Sequence, residues 1–352
     1  MSLEQPIETL ADARWSCSQC GFCCTFVTLG PVEPQIIAGL KARAVERDWA
    51  PAASGWHETR GGEAYLRRVD GGCVFLRPDK RCAVHDLYGA EAKPGFCRAF
   101  PLHAVETRES VSVVVRADCS GVHETLKSGQ PLTEQVEALL ALESPRARFE
   151  PGRVEVLPGV SVPAASWLKW ERALVAGLSE VARAPEPAVG WIRESLAALT
   201  ATEAPPPDPA RFRLAWRAVA EGMRLVAARA VSQGGGSPAE VAFARENLAR
   251  LEAALATSSL DEVSGERREY LGVLLQSFLL GKLYKGAGGP AAGLGLFLVT
   301  VQVARASAEP VDLDSLAHHL SRFTRFLNNH AIQRVVQAAR PALEDVFLNA
   351  SV

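Results

Sequence analysis

Cys17, Cys20, Cys23 and Cys24 fall within eight residues of the run WSCSQCGFCCTF, as C-x2-C-x2-C-C. A thiolate is a strong ligand for zinc and iron, and two cysteines separated by two residues can turn both sulfurs toward one ion. Cys73, Cys82, Cys97 and Cys119 follow at spacings of 8, 14 and 21 residues, and no cysteine lies beyond them. The sulfur chemistry therefore belongs to one part of the chain. Eight thiolates can make one cluster with spares or two four-ligand sites, and the spacing allows both. The first three cysteines match the opening of a bacterial ferredoxin run, but the completing x3-Cys-Pro is missing. On a helical wheel, Cys17, Cys20 and Cys24 lie within about 60° and Cys23 points away; in an extended chain Cys23 and Cys24 point to opposite sides. Either way the adjacent pair is not expected to ligate one ion as a simple chelate.

Other residues near the cysteines carry candidate roles. Arg98 follows Cys97 directly, and its guanidinium can hydrogen-bond a cluster sulfur, offset thiolate charge, or bind a carboxylate or phosphate, which makes it the candidate cofactor-binding residue. Its structural alternative is a surface salt bridge. His85 and His103 can stand in for a thiolate, with His57 and His123 behind them, although no H-x3-H or Cys-x2-His pattern supports any of the four. Asp86 and Tyr88 can hold a substrate amine or a proton, or make an ordinary structural hydrogen bond. The cysteines' own alternative, buried free thiols acting as small apolar residues, fits Cys119 best because it lies farthest from the run.

Short elements must position these groups. Pro31 to Arg47 reads as a helix, with Ile36, Ile37, Leu40 and Val45 near helical spacing. PAASGWHETRGG reads as loop, and EAYLRRVDGGCVFL as two short strands around Asp70-Gly71-Gly72 that deliver Cys73. A second turn, Arg77 to Arg81, precedes Cys82; Lys93-Pro94-Gly95 precedes Cys97; and the β-branched run Val111 to Val115 leads to Cys119. Phe149 to Val162 reads as a closing hairpin.

From there the chain is helical. Helices are predicted over 164–182, 189–199, 209–231, 238–256, 266–285, 290–306 and 312–330, with more helix to Leu348. Asp208 with Pro209, and Asp312, are expected caps; Ser237 with Glu240 repeats the device, after the Gly234-Gly235-Gly236 linker. The apolar run 290–306 reads as a buried central helix rather than a membrane span, being about 17 residues long with Gln302 inside. His318, His319, Phe323, Phe326 and His330 read first as helix-face packing and second as a pocket, and Trp167, Trp170, Trp191 and Trp216 as core anchors. The fold class is therefore α+β: a loop-rich cysteine domain with short strands over 1–162, then an all-α bundle over 163–352.

Composition narrows the class. The chain has 352 residues, 48% hydrophobic and 22% charged, with formal net charge −2. Such a chain can bury a sizeable core, and neither disorder nor a disulfide miniprotein fits. With a pI near 6.4 there is no global attraction to nucleic acid or an anionic membrane, so neither is an expected partner. The N-terminus lacks a basic region followed by an apolar run, which points to the cytoplasm, where thiols stay reduced and favour metal over disulfides. No P-loop, dinucleotide fingerprint, G-x-S-x-G or H-E-x2-H occurs.

The run CSQCGFCC, then GGCVFL, then RCAVHDLYGAEAKPGFCRAFP, resembles the bacterial CxxCxxCC family of zinc- or iron-chelating proteins, the YkgJ type. Cys17, Cys20, Cys23, Cys24, Cys73, Cys82, Cys97, Arg98, Phe100 and Pro101 match its pattern in order, over Trp15 to Gly121. Lys93-Pro94 stands where the family usually has Arg-Pro. Flagellin lysine N-methylases carry a similar cysteine domain joined to a helical region, and the helical half here is similar to theirs in outline, most closely over Tyr270 to His330. That resemblance implies a 4Fe-4S iron–sulfur cluster, S-adenosylmethionine and methylation of lysines on a protein substrate. Two further readings stay open: a binding module stapled by zinc or iron, and a thiol redox sensor.

Overall fold

The run Val111–Val115 forms the predicted strand, and all five of its residues are buried. A strand covered on both faces reads as an unbroken β-branched series rather than an alternation. The computed structural model describes residues 5–26, 29–142, 146–181, 185–202, 206–233, 238–256, 265–308 and 312–350. In it this strand pairs in parallel with Ile7–Thr9 and antiparallel with Leu102–Glu106, Leu102 lying opposite Val115. Ala147–Arg148 adds beyond Leu102–Glu106 to complete a four-stranded sheet. Helices Leu132–Leu140 and Gly265–Leu280 pack against the central strand. The sheet thereby fixes the chain just before Cys119, while the pairing of Arg14–Trp15 with Gln130–Pro131 fixes it just before Cys17.

Two hairpins build the smaller lobe. Arg68–Val69 pairs with Gly72–Cys73 across Asp70 and Gly71, both in the left-handed region (φ 51° and 81°) that a two-residue turn requires. His57–Arg60 pairs with Glu63–Leu66, so HETR is a strand and not the predicted loop. Its own residues lack apolar alternation, and the signal lay in the turn, where Gly61 and Gly62 both have positive φ. The predicted helix over 31–47 is also corrected. It divides into Pro34–Ala42 and Val45–Asp48, with Ala44 left-handed (φ 52°) between them. Val32 precedes the helix because its amide donates to the Ala64 carbonyl (2.8 Å), tying this segment to the hairpin.

The helical half follows the predicted pattern with three adjustments. Helices run over Ala164–Val181, Pro185–Thr200, Pro209–Gln233, Pro238–Ala256, Gly265–Leu280, Pro290–Ser307, Leu313–Leu327, His330–Ala338 and Arg340–Leu348. The Asp208 carboxylate accepts from the amides of Ala210 and Arg211, and that of Asp312 from Ser315, as the capping rule requires. The helix predicted to end at 285 stops at Leu280, where a Cβ on Gly281 would come within 2.7 Å of Val114. A 3-10 turn, Leu283–Ala287, follows. The helix predicted over 312–330 ends at Leu327, because the Asn329 side chain caps the next one by accepting from Ala331. The helix predicted over 189–199 begins earlier, at Pro185. Ala184, Pro205, the 234–236 linker and Ser237 lie outside the described residues.

Pro290–Ser307 is long and apolar enough to cross a membrane by length and composition, yet 72% of it is buried inside the protein. It packs against helices Pro238–Ala256, Leu313–Leu327 and Arg340–Leu348. Trp167 is fully buried, Trp216 nearly so, and Trp170 and Trp191 pack on the same core. The apolar residues form two clusters. One joins the four-stranded sheet to the helices; the other lies within Cys24–Phe96, around Trp56 and Phe75, whose ring centroids are 5.8 Å apart.

Candidate metal centre

Each cysteine is delivered by a different local device. Cys17 and Cys20 sit on irregular chain, with Gln19 (φ 54°) and Gly21 (φ 69°) left-handed, so the helical wheel does not apply to them. A Cβ on Gly21 would come 2.5 Å from the Lys80 carbonyl, which brings this loop onto the Arg77–Arg81 turn. Cys23 and Cys24 open a single helical turn, Cys23–Phe26. Cys73 ends the Asp70-Gly71 hairpin, and Cys82 sits at the N-cap of helix Ala83–Tyr88 after the predicted turn, closed by Arg77 N–H to the Arg81 carbonyl. Cys97 lies on the short helix Gly95–Ala99, whose Gly95 amide donates to Glu33 (2.9 Å). Cys119 is buried beyond the central strand.

All eight are free thiols and line two adjoining cavities. The narrower, about 50 Å3, is walled by Cys24, Cys73 and Cys82 with the apolar side chains of Leu29, Leu66 and Phe75. The wider, about 240 Å3, is walled by Cys17, Cys20 and Cys119 with Ser18, Ser120 and His85. Cys23, Cys97 and Lys93 belong to both walls. Among the described residues no group of three or more His, Cys, Asp or Glu side chains stands close enough together to hold a metal ion. Closing in on an ion would be part of binding itself, as it is in small thiolate domains.

The electrostatics favour a cationic occupant. Burial pushes the Cys73 and Cys119 thiols up to about 12, and burial likewise raises Cys17 and Cys97. A bare thiolate is penalised here, and a metal cation removes the penalty by supplying the opposing charge. Cys23 differs. The hydrogen bond it shares with the Cys24 thiol, assisted by Lys93 and Arg325, holds it down to about 6, while that same bond pushes Cys24 up.

Three cations stand at the walls. Burial works against the charge of Lys93, but Cys97, Cys82, Cys17 and Cys23 outweigh it and raise its pKa. Among the described residues no acid pairs with it. Arg98 lines the wider cavity, and its guanidinium pairs with the exposed Glu91 at 2.5 Å. Arg325 comes from helix Leu313–Leu327 of the other half. It stacks over Phe22 (3.8 Å to the ring centroid) and donates to the carbonyls of Asp118 (2.5 Å) and Phe22 (3.3 Å). Those two residues immediately precede Cys119 and Cys23, so Arg325 fixes the backbone of both. Nothing in the sequence around Arg325 marked it, since the contact spans 207 positions. Lys93 had a signal, its place beside Pro94 in the motif.

The remaining candidates fall elsewhere. Of the histidines, His85 lines the wider cavity. His103 lies on strand Leu102–Glu106, where burial and Arg116 hold it down to about 4. His57 stacks on Trp56, and His123 lies 3.0 Å from Asp314. Asp86 pairs with Arg77 and Tyr88 donates to Asp48, both structural bonds. His319 accepts from Arg250 at 2.9 Å, and Phe323 and Phe326 are core residues, so the helix-face packing reading holds for these three.

Neither the curated proteins nor the solved structures give a match to this chain. A family model does: residues 16–120 match CxxCxxCC, described as "Putative zinc- or iron-chelating domain". That span contains all eight cysteines and both cavity walls apart from Trp15 and Arg325. The segment 16–120 is therefore a domain of the CxxCxxCC family.

Proposed function

We propose that this chain is a metal protein whose eight thiolates hold iron or zinc, with a 4Fe-4S iron–sulfur cluster as the form the site is built for. The observation that carries the reading is the convergence of all eight cysteines, drawn from hairpin, loop and helix ends across Cys17–Cys119, onto two cavities that share a wall. Buried neutral thiols would need no such gathering. Lys93 supports it further, because Cys97, Cys82, Cys17 and Cys23 together hold its charge against burial. Iron held this way would supply redox or Lewis-acid chemistry; zinc with four thiolates would be structural.

A finer reading rests on Arg325. Because a residue of the helical half helps wall the wider cavity, that cavity lies where a partner molecule can touch both halves. Lysine N-methylation of a protein substrate, with S-adenosylmethionine as donor, fits such a place. Lys93, Arg98 and Arg325 would there attract a carboxylate-bearing ligand, and Arg325 would hold the Cys23 and Cys119 loops in position.

The test is the content of iron, zinc and acid-labile sulfide per chain, with a visible spectrum, on protein purified without oxygen. Iron and sulfide in equal amounts support the cluster and call for a methyl-transfer assay on lysine-bearing proteins. Zinc without sulfide moves the reading to a stapled binding module, and protein free of both metals contradicts it.

A further inference from the structure

We infer that the eight cysteines form two separate four-thiolate sites that meet at the Cys23-Cys24 peptide: Cys24, Cys73, Cys82 and Cys97 around the narrow cavity, and Cys17, Cys20, Cys23 and Cys119 around the wide one. The inference rests on the metal-thiolate reading above and goes beyond it in dividing the ligands.

The walls give the division for six of the eight. Cys24, Cys73 and Cys82 line the narrow cavity alone, and Cys17, Cys20 and Cys119 the wide one alone. Cys23 and Cys97 line both, and their neighbours decide between them. Cys97 is acted on most by Cys73, with Cys23 and Cys82, and Cys73 and Cys82 line the narrow cavity alone. Cys23 acts on Cys17 and Cys119, as Cys20 does, and also on Cys24, Cys73 and Cys97; the regular three-residue spacing it shares with Cys17 and Cys20 places it with them. Four thiols therefore belong to each side, the number a closed tetrahedral ion or a cubane cluster takes.

The sequence motif gains a reason from this division. A C-x2-C-x2-C run with one remote fourth cysteine is the ligand arrangement of a four-iron cluster, and Cys17, Cys20, Cys23 and Cys119 have it. The extra cysteine of the run, Cys24, is then the first ligand of the second site. Helical backbone at Cys23–Phe26 lets neighbouring residues serve two sites, and the shared wall of the two cavities, which includes Cys23, puts the sites side by side. The walls differ in the same sense. The narrow site is enclosed by Leu29, Leu66 and Phe75, fit for a single ion shielded from water, whereas the wide site includes the exposed Cys17 and two serines. Lys93 stands on the common wall, where one cation offsets the excess thiolate charge of both.

The experiment counts metals and sulfide in the full chain, purified without oxygen, as wild type, Cys82→Ala and Cys17→Ala. These two thiols are less buried than Cys73 and Cys119, and alanine cannot ligate in their place. The expected result is metal lost in two independent portions. Cys82→Ala loses the narrow-site ion and keeps the sulfide-linked absorption, and Cys17→Ala loses that absorption and keeps the other ion. Equal loss of all metal in both variants, with circular dichroism still native, overturns the division, as does a wild type carrying metal for one site only. A wild type without metal overturns the metal-thiolate reading itself. Should either variant not fold, chelator-driven release from the wild type decides: two kinetic phases are expected, and a single phase contradicts two sites.

Discussion

At the joint between sheet and bundle, the Lys282 ammonium lies 2.8 Å from the Glu171 carboxylate and donates to Ser112 and the Leu280 carbonyl. The same carboxylate accepts from Tyr284, whose hydroxyl accepts from Trp167. At the cysteine cavities Lys93 is also drawn out of water, but among the described residues it has no acid, only thiols. A buried charge is tolerated when a partner and hydrogen bonds replace its water. The chain supplies that partner for Lys282 from its own carboxylates. For Lys93 it supplies thiols, which on the proposed function would become negative when a metal claims their protons. On the function proposed above, the larger body is complete as a polypeptide and the cysteine lobe is complete only with a metal.

The size of the two cores points the same way. The lobe within Cys24–Phe96 buries one small apolar cluster on strands of two to four residues, whereas the body packs a four-stranded sheet on long helices. Small cores of this kind lean on a metal or disulfide staple.

The comparison is broken most severely at the self-sufficient end. Lys282→Met should cost about 3–5 kcal/mol of global stability, read by denaturant unfolding, because it leaves Glu171 buried without its counter-charge. Metal content should not change. Lys93→Met should do the reverse: metal affinity falls roughly 10–100-fold in a chelator competition, while the metal-free chain loses no stability, because a charge without an acid partner has been removed from a buried place. Arg325→Met should weaken metal binding by about 10-fold, since it acts through the Asp118 and Phe22 carbonyls and not on sulfur, and Arg325→Lys should recover part of the loss.

The smallest effect is a pH dependence in the body. His103 is held at about 4 in the fold by burial and Arg116, against about 6.5 unfolded. The fold favours its neutral form, so its contribution is complete above pH 6.5 and is lost as pH falls toward 4. His103→Asn should flatten the stability profile in that window, measured against wild type by urea midpoints.

What could be read beforehand divides along the same line. The strand Val111–Val115, the caps Asp208 and Asp312 and the buried helix Pro290–Ser307 were legible because local pattern and tertiary burial agree there. The motif C-x2-C-x2-C-C gave the ligand type but not the ligand directions, since Gln19 and Gly21 take left-handed backbone that no periodicity announces. HETR and Ala44 were missed for the same reason, their structure being set by turns and hairpin contacts. Arg325 was illegible because its role exists only once two distant segments meet.

The most direct test of the account is amide hydrogen exchange on the full chain before and after metal removal without oxygen. Protection of Leu66 and Val74, whose amides donate to Leu29 and Arg67 in the cysteine lobe, should fall by about 100-fold on chelation. Protection along Val111–Val115 should hold. Unchanged exchange at Leu66 and Val74 after the metal has gone, or equal loss of protection in lobe and sheet, would contradict it.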